Sequence, residues 1–377
     1  MKILTILGTR PEIIRLSQVV EILDRQADGH VLVHTGQNYD ARLSDQFFTE
    51  LNVRQPDEHM AIRESGMAAQ IGRILEASET LLRKHRPDRL LILGDTNSGL
   101  SAIIARRLGI PVYHMEAGNR CFDDRVPEEV NRRVIDHCST VLMPYTERSR
   151  ANLIAEGIAA DRIFVIGNPI KDVMDAHRER IAASRVLEGL KLSAGKYFLA
   201  TFHRAENVDD EDRLRHLLEA FAALHVRYSL PVVCSVHPRT RAKIESFGLA
   251  APAGIHFAEP FGFADFVHLE THAFCTLSDS GTVQEEACIM GVPNVTIRDV
   301  TERPETIECG SNVLAGTEPL RIVEAVGMAT QAGRHWTPPP EYLRHGVADA
   351  ACRILLGSRI PDLAEVEWQR KRGGDGA

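Results

Sequence analysis

The 377-residue chain is 44% hydrophobic and 25% charged, ordinary globular proportions at a length that fills about two domains. A formal net charge of −8 argues against a nonspecific nucleic-acid surface, and the absence of any run of about 18 apolar residues argues against a membrane span. Seven cysteines without a C-x-x-C pair give no zinc spacing and read as reduced core thiols.

The N-terminal MKILTILGTRPE has one Lys and an apolar run too short for a signal h-region, so a cytoplasmic protein is expected. Short β-rich runs follow at Ile3–Leu7, Val31–His34, Leu90–Leu93, Val112–Met115, Val141–Met143 and Ile163–Ile166. Between them, Glu12–Leu23, Ala68–Lys84 and Ser98–Leu108 carry apolar residues at three and four spacing, the pattern of helices covering a parallel sheet. Gly167-Asn168-Pro169 then supplies a turn, an N-cap and a proline at a helix start, ahead of a polar helix over Lys171–Ala183. The domain junction is placed here, dividing the chain into 1–170 and 171–377. A second series of strands is expected at Tyr197–Thr201, Val232–Val236, Ile255–Ala258, Phe274–Leu277 and Asn294–Ile297. A closing helix over Val347–Leu356 is assigned to the second domain, and the tail Gly373–Ala377 is expected to be disordered. The fold class is therefore α/β, with two Rossmann-like doubly wound domains expected to face each other across a cleft. In such sheets ligands bind beyond the carboxyl ends of the strands.

The polar clusters sit at those strand ends. Gly8-Thr9-Arg10-Pro11-Glu12 joins the first strand to the first helix and offers Arg10 as a bidentate phosphate donor. It is neither a G-x-G-x-x-G fingerprint nor a Walker loop, which argues against NAD and ATP. Asp95 and Glu116 each follow an apolar strand, a position that invites acid/base roles, with capping or ion pairing as the alternative. Glu128 and Arg132, spaced i,i+4, share one face of the next helix. His203-Arg204 and His237-Pro238-Arg239 are second-half counterparts able to neutralise a diphosphate, while His114, His137 and His272 read as structural. Ser280-Gly281-Thr282 offers bare backbone amides at a helix N-terminus, and Glu285 and Glu286 are read as first-turn acids, one of which accepts from ribose hydroxyls. Arg303, braced by acids in Thr301–Glu305, can reach either sugar or phosphate.

Seven motifs occur in order: GTRPE, GDT at Gly94–Thr96, HMEAGNR at His114–Arg120, PEEVNRR at Pro127–Arg133, HR at His203-Arg204, SDSGTVQEE at Ser278–Glu286 and RDVTERPE at Arg298–Glu305. Together they closely resemble the non-hydrolysing UDP-N-acetylglucosamine 2-epimerases over essentially the whole chain. The resemblance implies a GT-B-like domain pair, a homodimer, and no cofactor or metal. It also implies interconversion of UDP-GlcNAc and UDP-ManNAc by elimination of UDP to a 2-acetamidoglucal and re-addition. By motif position it assigns Asp95, Glu116 and Glu128 to acid/base chemistry, with Arg132 orienting them. It places His203, counted with the catalytic set, at the diphosphate together with Arg10, Ser280, Gly281 and Thr282, gives Glu286 to ribose, and gives the stretch around Phe266 to uracil. Arg15, His237 and Arg303 complete the substrate-binding set.

Arg15 stands where the family commonly has Lys, and Thr282 where it has a second Gly. Members activated by a second substrate molecule carry Gln-His-Arg where this chain has Gln37-Asn38-Tyr39-Asp40, which puts such activation in doubt. HTGQNYD and HMEAGNRCFDDRVPEEVNRR also look like a branch that 2-epimerises a 6-deoxy-talose precursor to UDP-N-acetyl-L-fucosamine. A GT-B glycosyltransferase is the second functional class, and a UDP-sugar sensor the third. Hydrolysing relatives, often fused to a kinase, are set apart by the absence of kinase length.

Overall fold

The computed structural model describes residues 1–36, 41–62, 64, 66–331 and 333–357. The chain falls into two compact units, Met1–Val173 with the segment returning from Arg344, and Met174–Leu343. Both the Gln37–Asp40 segment and the Gly373–Ala377 tail lie outside the described residues.

Unit 1 holds β1 (Lys2–Leu7), β2 (Gly29–His34), β3 (Glu58–His59), β4 (Arg89–Leu93), β5 (Val112–Met115) and β6 (Val141–Met143). They pair in the order β3-β2-β1-β4-β5-β6, every pair parallel. Unit 2 holds β7 (Phe198–Thr201), β8 (Val232–Ser235), β9 (Ile255–Ala258), β10 (Cys275–Ser278), β11 (Asn294–Thr296) and β12 (Asn312–Leu314). Its order, β12-β11-β10-β7-β8-β9, repeats the first, so each unit is doubly wound as a Rossmann-type sheet. Strand order reverses between β1 and β4 in one unit and between β7 and β10 in the other. The loops leaving those strands are where side chains can gather around a ligand.

Both faces of a parallel sheet are covered, and the strands show it. Phe198, Ala200 and Phe202 pack with Leu217, Phe221 and Ile322 on one side of the second sheet, while Tyr197 and Leu199 pack with Leu269 and Ala287 on the other. In unit 1, Leu4, Ile6, Leu90, Ile92 and Val112 form the core under Leu82, Ala105 and Ile135. All seven cysteines are free thiols, four of them buried. Among the described residues no helix is long and apolar enough to cross a membrane.

Four expectations change. The run Ile163–Ile166 forms a single bridge to Leu142 rather than a strand, since only one partner lies beside it and Phe164 turns outward. The polar helix over Lys171–Ala183 divides into Ile170–Ala176 and Arg178–Ala182, interrupted at His177. β3 and β12 were not expected, being only two and three residues long. Finally, the helix Val347–Gly357, expected in the second domain, belongs to unit 1. Its face Val347, Ala348, Ala351, Cys352 and Leu355 is buried, with Cys352 Sγ 3.8 Å from Val19 O on the Arg10–Gln26 helix. Asp172 fixes the start of this helix by accepting the Val347 N–H at 2.7 Å, and Arg89 donates to Leu355 O near its end. An amphipathic helix docks where an apolar stripe awaits it, and sequence adjacency does not decide where that is.

Candidate active site

Two strand-end networks emerge, one in each unit. In unit 1, β1 ends at Leu7 and Thr9 becomes the N-cap of the Arg10–Gln26 helix, with Pro11 in its first turn. Glu12 turns back over this start. Its Oε2 accepts the N–H groups of Gly8 and Thr9, both at 2.7 Å, and its Oε1 accepts the Thr96 hydroxyl at 2.8 Å. One carboxyl therefore ties the loop after β1 to the loop after β4, across the point where strand order reverses. Glu12 is 2% exposed, and burial pushes its carboxyl up to about 7 against the opposing pull of the Gly8, Thr96 and Thr9 donors.

This shift has a sign. Below the unfolded-state value near 4.5 the carboxyl is neutral in both states, and its contribution to stability is fully present. As pH rises through about 7 the folded protein must hold a buried carboxylate, and that contribution is lost. Urea unfolding at pH 5 and pH 8 should therefore show the wild type losing on the order of 2–3 kcal/mol relative to Glu12→Gln. Equal losses in both proteins would dispose of this assignment.

Gly94 leaves β4 at φ +75°, and Asp95 follows, accepting Arg132 Nε at 2.8 Å. Arg132 is 2% exposed and also donates from Nη1 to Glu129 Oε2 at 2.6 Å. Glu129 is fully buried; burial by itself pushes the carboxyl up, but the Cys121 N–H, Arg132 and the Phe122 N–H outweigh it and hold the carboxyl below its usual range. Glu128, which shares a helix face with Arg132 by its i,i+4 spacing, is half-buried on the first turn, while Glu129 is the deeply buried partner of Arg132. Asn131 Nδ2 donates to Asp95 O at 3.0 Å and fixes the backbone of the same loop.

Glu116 leaves β5 in the left-handed region at φ +66°, an uncommon and strained state for a residue with a Cβ. It is 7% exposed, takes Arg15 Nη1 at 2.5 Å, and accepts the Tyr145 hydroxyl at 3.3 Å. A Cβ built on Gly94 would lie 4.0 Å from Glu116 Oε2, which places this carboxylate beside the Gly94-Asp95 turn. His114 behaves as expected of a structural residue: its ring nitrogens meet Asp136 Oδ1 and Gly94 O, both at 2.8 Å. Arg10, at the helix start, lies 5.8 Å from the centre of the Phe47 ring.

In unit 2 the corresponding link is Asp279, fully buried after β10. It accepts the backbone N–H groups of His203 and Arg204 and the Asn207 side-chain amide, each at 3.0 Å. The loop after β7 is thus bound to the loop after β10. His203 itself is 43% exposed, with Nδ1 3.5 Å from Asp279 Oδ1 and its ring 6.3 Å from that of His237. His237 caps the Pro238–Ser246 helix by accepting the Arg239 N–H at 3.2 Å, and Arg239 pairs with Asp209.

Ser280 is the N-cap of the Gly281–Met290 helix, whose first amides have no intrahelical acceptor. Gly281 lets side chains close on bare backbone: a Cβ there would meet Glu302 Oε1 at 2.7 Å and the Arg303 guanidinium carbon at 3.5 Å. Because the helix begins at Gly281, Glu285 and Glu286 fall in its second turn and not in the first as expected, beyond the strongest part of the helix dipole. Glu285 pairs with Arg303, itself 4% exposed, and Glu286 is 3% exposed on the neighbouring face. Phe266 is partly buried against the Leu199 and Val292 cluster. Arg298, 1% exposed between Glu302 at 3.0 Å and Glu206 at 3.2 Å, secures the loop after β11. Glu12, Glu129, Asp279 and Arg298 were not singled out by the sequence reading. Each lies inside a recognised motif, and only its contacts distinguish it.

Paired parallel α/β units with polar residues concentrated at the strand-order reversals define a protein of the two-unit Rossmann-like class that handles small polar ligands at strand ends. The chain belongs to the UDP-N-acetylglucosamine 2-epimerase family, whose sequence profile matches residues 21–355. It is 40% identical to the UDP-N-acetylglucosamine 2-epimerase of Methanocaldococcus jannaschii, over 90% of this chain and 95% of the relative. It is equally 40% identical to the UDP-2,3-diacetamido-2,3-dideoxy-D-glucuronate 2-epimerase of Pseudomonas aeruginosa, over 86% and 91% of the two chains. The crystal structure of the M. jannaschii enzyme in complex with UDP-GlcNAc and UDP superposes with a TM-score of 0.91 at 38% identity, covering 95% of this chain and all of that one.

Proposed function

We propose that this protein is a cofactor-independent 2-epimerase that interconverts UDP-GlcNAc and UDP-ManNAc. The observation that carries the reading is the pair of strand-end carboxylates in unit 1, Asp95 and Glu116, each held by a buried arginine, Arg132 and Arg15. A hydrogen at C2 beside an acetamido group is a weak acid, so its removal must accompany loss of the C1 diphosphate. Carboxylates in fixed positions suit both the proton transfer and the positive character that develops on the ring. Asp95, Glu116 and Glu128 supply those groups. Unit 2 supplies the nucleotide-binding set: Ser280, Gly281, Thr282 and His203 for the diphosphate, Glu286 for ribose and Phe266 for uracil, with Arg303 and His237 beside them; in unit 1, Arg10 and Arg15 are assigned to the substrate.

Relatives at equal identity act on differently substituted sugars yet share the word 2-epimerase, which supports inversion at C2 more strongly than any one sugar. UDP-GlcNAc is the proposed substrate because the family profile and the superposed complex both carry it. A cytoplasmic homodimer is part of the same proposal. Incubation with UDP-GlcNAc in deuterated buffer, without an acceptor, is expected to place deuterium at C2 of both epimers. An unexchanged C2 together with acceptor-dependent UDP release would instead identify a glycosyltransferase. A parallel incubation with the 6-deoxy-talose nucleotide reads out sugar preference.

A further inference from the structure

Glu270 lies on the Phe263–Thr271 helix with none of its surface exposed, and neither carboxyl oxygen receives a hydrogen bond from an N–H or hydroxyl group among the described residues. The nearby Tyr197 hydroxyl is committed elsewhere, donating to Leu269 O. Such a carboxyl cannot be held ionised, since a buried charge without a donor or cation is prohibitively unfavourable. Its side chain meets Glu286, across on the Gly281–Met290 helix. Burial first, and then the charge of Glu286, push the Glu270 carboxyl well above its usual range. Two buried carboxyls side by side are compatible with one proton between them, and the more deeply buried keeps it. If only volume were needed at 270, an apolar side chain would fill it without the desolvation cost.

We infer that Glu270 is a positioning residue for nucleotide recognition: as a neutral acid it donates its O–H to Glu286, fixing that carboxylate to accept the ribose hydroxyls. A charge-assisted O–H···O⁻ bond is short and directional, so it holds one carboxylate orientation where an apolar neighbour would leave the side chain to turn. A carboxylic acid kept neutral by an apolar setting so that it can donate has precedent as a device for aiming an acceptor. The inference rests on the proposed contact of Glu286 with ribose, and the experiment separates the two.

Affinities for UDP and for 2′-deoxy-UDP are measured by calorimetry on the full chain, in the wild type and in Glu286→Gln, Glu270→Gln and Glu270→Met. The wild type should prefer UDP by about tenfold or more, the worth of one hydrogen bond to a charged group. Glu286→Gln should lose most of that preference; if it keeps the preference, the ribose contact falls and the inference with it. Glu270→Gln, whose amide can still donate, should keep the preference, whereas Glu270→Met, unbranched and of similar length, should reduce it to about twofold or less. Loss of fold alone would weaken both ligands together and leave their ratio unchanged. A Glu270→Met protein with the wild-type ratio, or Gln and Met variants that behave alike, would overturn the inference while leaving the ribose contact intact.

Discussion

Glu116→Gln is expected to lower kcat for C2 exchange by about 10²–10⁴-fold while leaving UDP affinity within about twofold, because it removes a proton acceptor and keeps the side chain's shape. The glutamine carbonyl can still accept from Arg15, which is 3% exposed, but the buried guanidinium then lacks its counter-charge, so some loss of thermal stability should accompany the loss of turnover. The backbone at this position makes the comparison with Glu116→Gly informative. At φ +66° a glycine relieves left-handed strain of about 1–2 kcal/mol, yet it deletes the carboxylate altogether. Strain retained at a residue that also holds a buried ion pair is what a functional constraint looks like. Deuterium incorporation at C2 measures the first quantity and calorimetry with UDP the second. Turnover within about threefold of wild type in Glu116→Gln would remove this residue from the chemistry.

The second large effect is expected at Asp279. Replacing it with Ala takes the acceptor from two part-buried backbone N–H groups, those of His203 and Arg204, and one of two acceptors from the buried Asn207 amide, which keeps Ile297 O; each unmet buried donor costs about 1–3 kcal/mol. Such costs do not add fully and water reaches part of this loop, so a loss of about 2–3 kcal/mol of unfolding free energy is the expected result. Asp279→Asn should fall between, since one oxygen remains to accept while the new amide faces the same donors. UDP affinity should weaken in parallel, because the loop carrying His203 and Arg204 loses its anchor to the loop before Ser280. Denaturant midpoints resolve the stability effect, and a change below about 1 kcal/mol in the Ala variant would mean that the loop has other support.

Much of this architecture could be read from the chain. Ten of the twelve strands announce themselves as apolar runs such as LLIL before Gly94, and the polar motifs do fall at their ends. Of the residues placed by motif, Arg132 binds Asp95 and Glu116 lies beside the Gly94-Asp95 turn, while Glu128 is half-buried on the helix that carries Arg132. What the chain did not disclose was which motif residues face the protein itself. Glu12 looks like a helix-start acid until Thr96, a strand away, is found donating to it. Asp279 looks like one polar residue among four until the loop after β7 closes on it. Glu285 and Glu286 are neighbours of the same type, yet one is bound to Arg303 and the other lies against Glu270. These distinctions depend on contacts between segments far apart in sequence, and local periodicity holds no information about them. The same reason explains the helix Val347–Gly357, whose apolar face is legible but whose partner is not.

That helix gives the molecule an order of completion. Unit 2 is one unbroken stretch of chain, whereas unit 1 lacks the cover over Val19 and the Arg89 contact until the helix Val347–Gly357 arrives. During synthesis the first half must therefore leave the ribosome with one flank of its opening helix bare, and hold that state while some 170 further residues are made and fold at about 5–20 residues per second. The first unit begun is the last one finished.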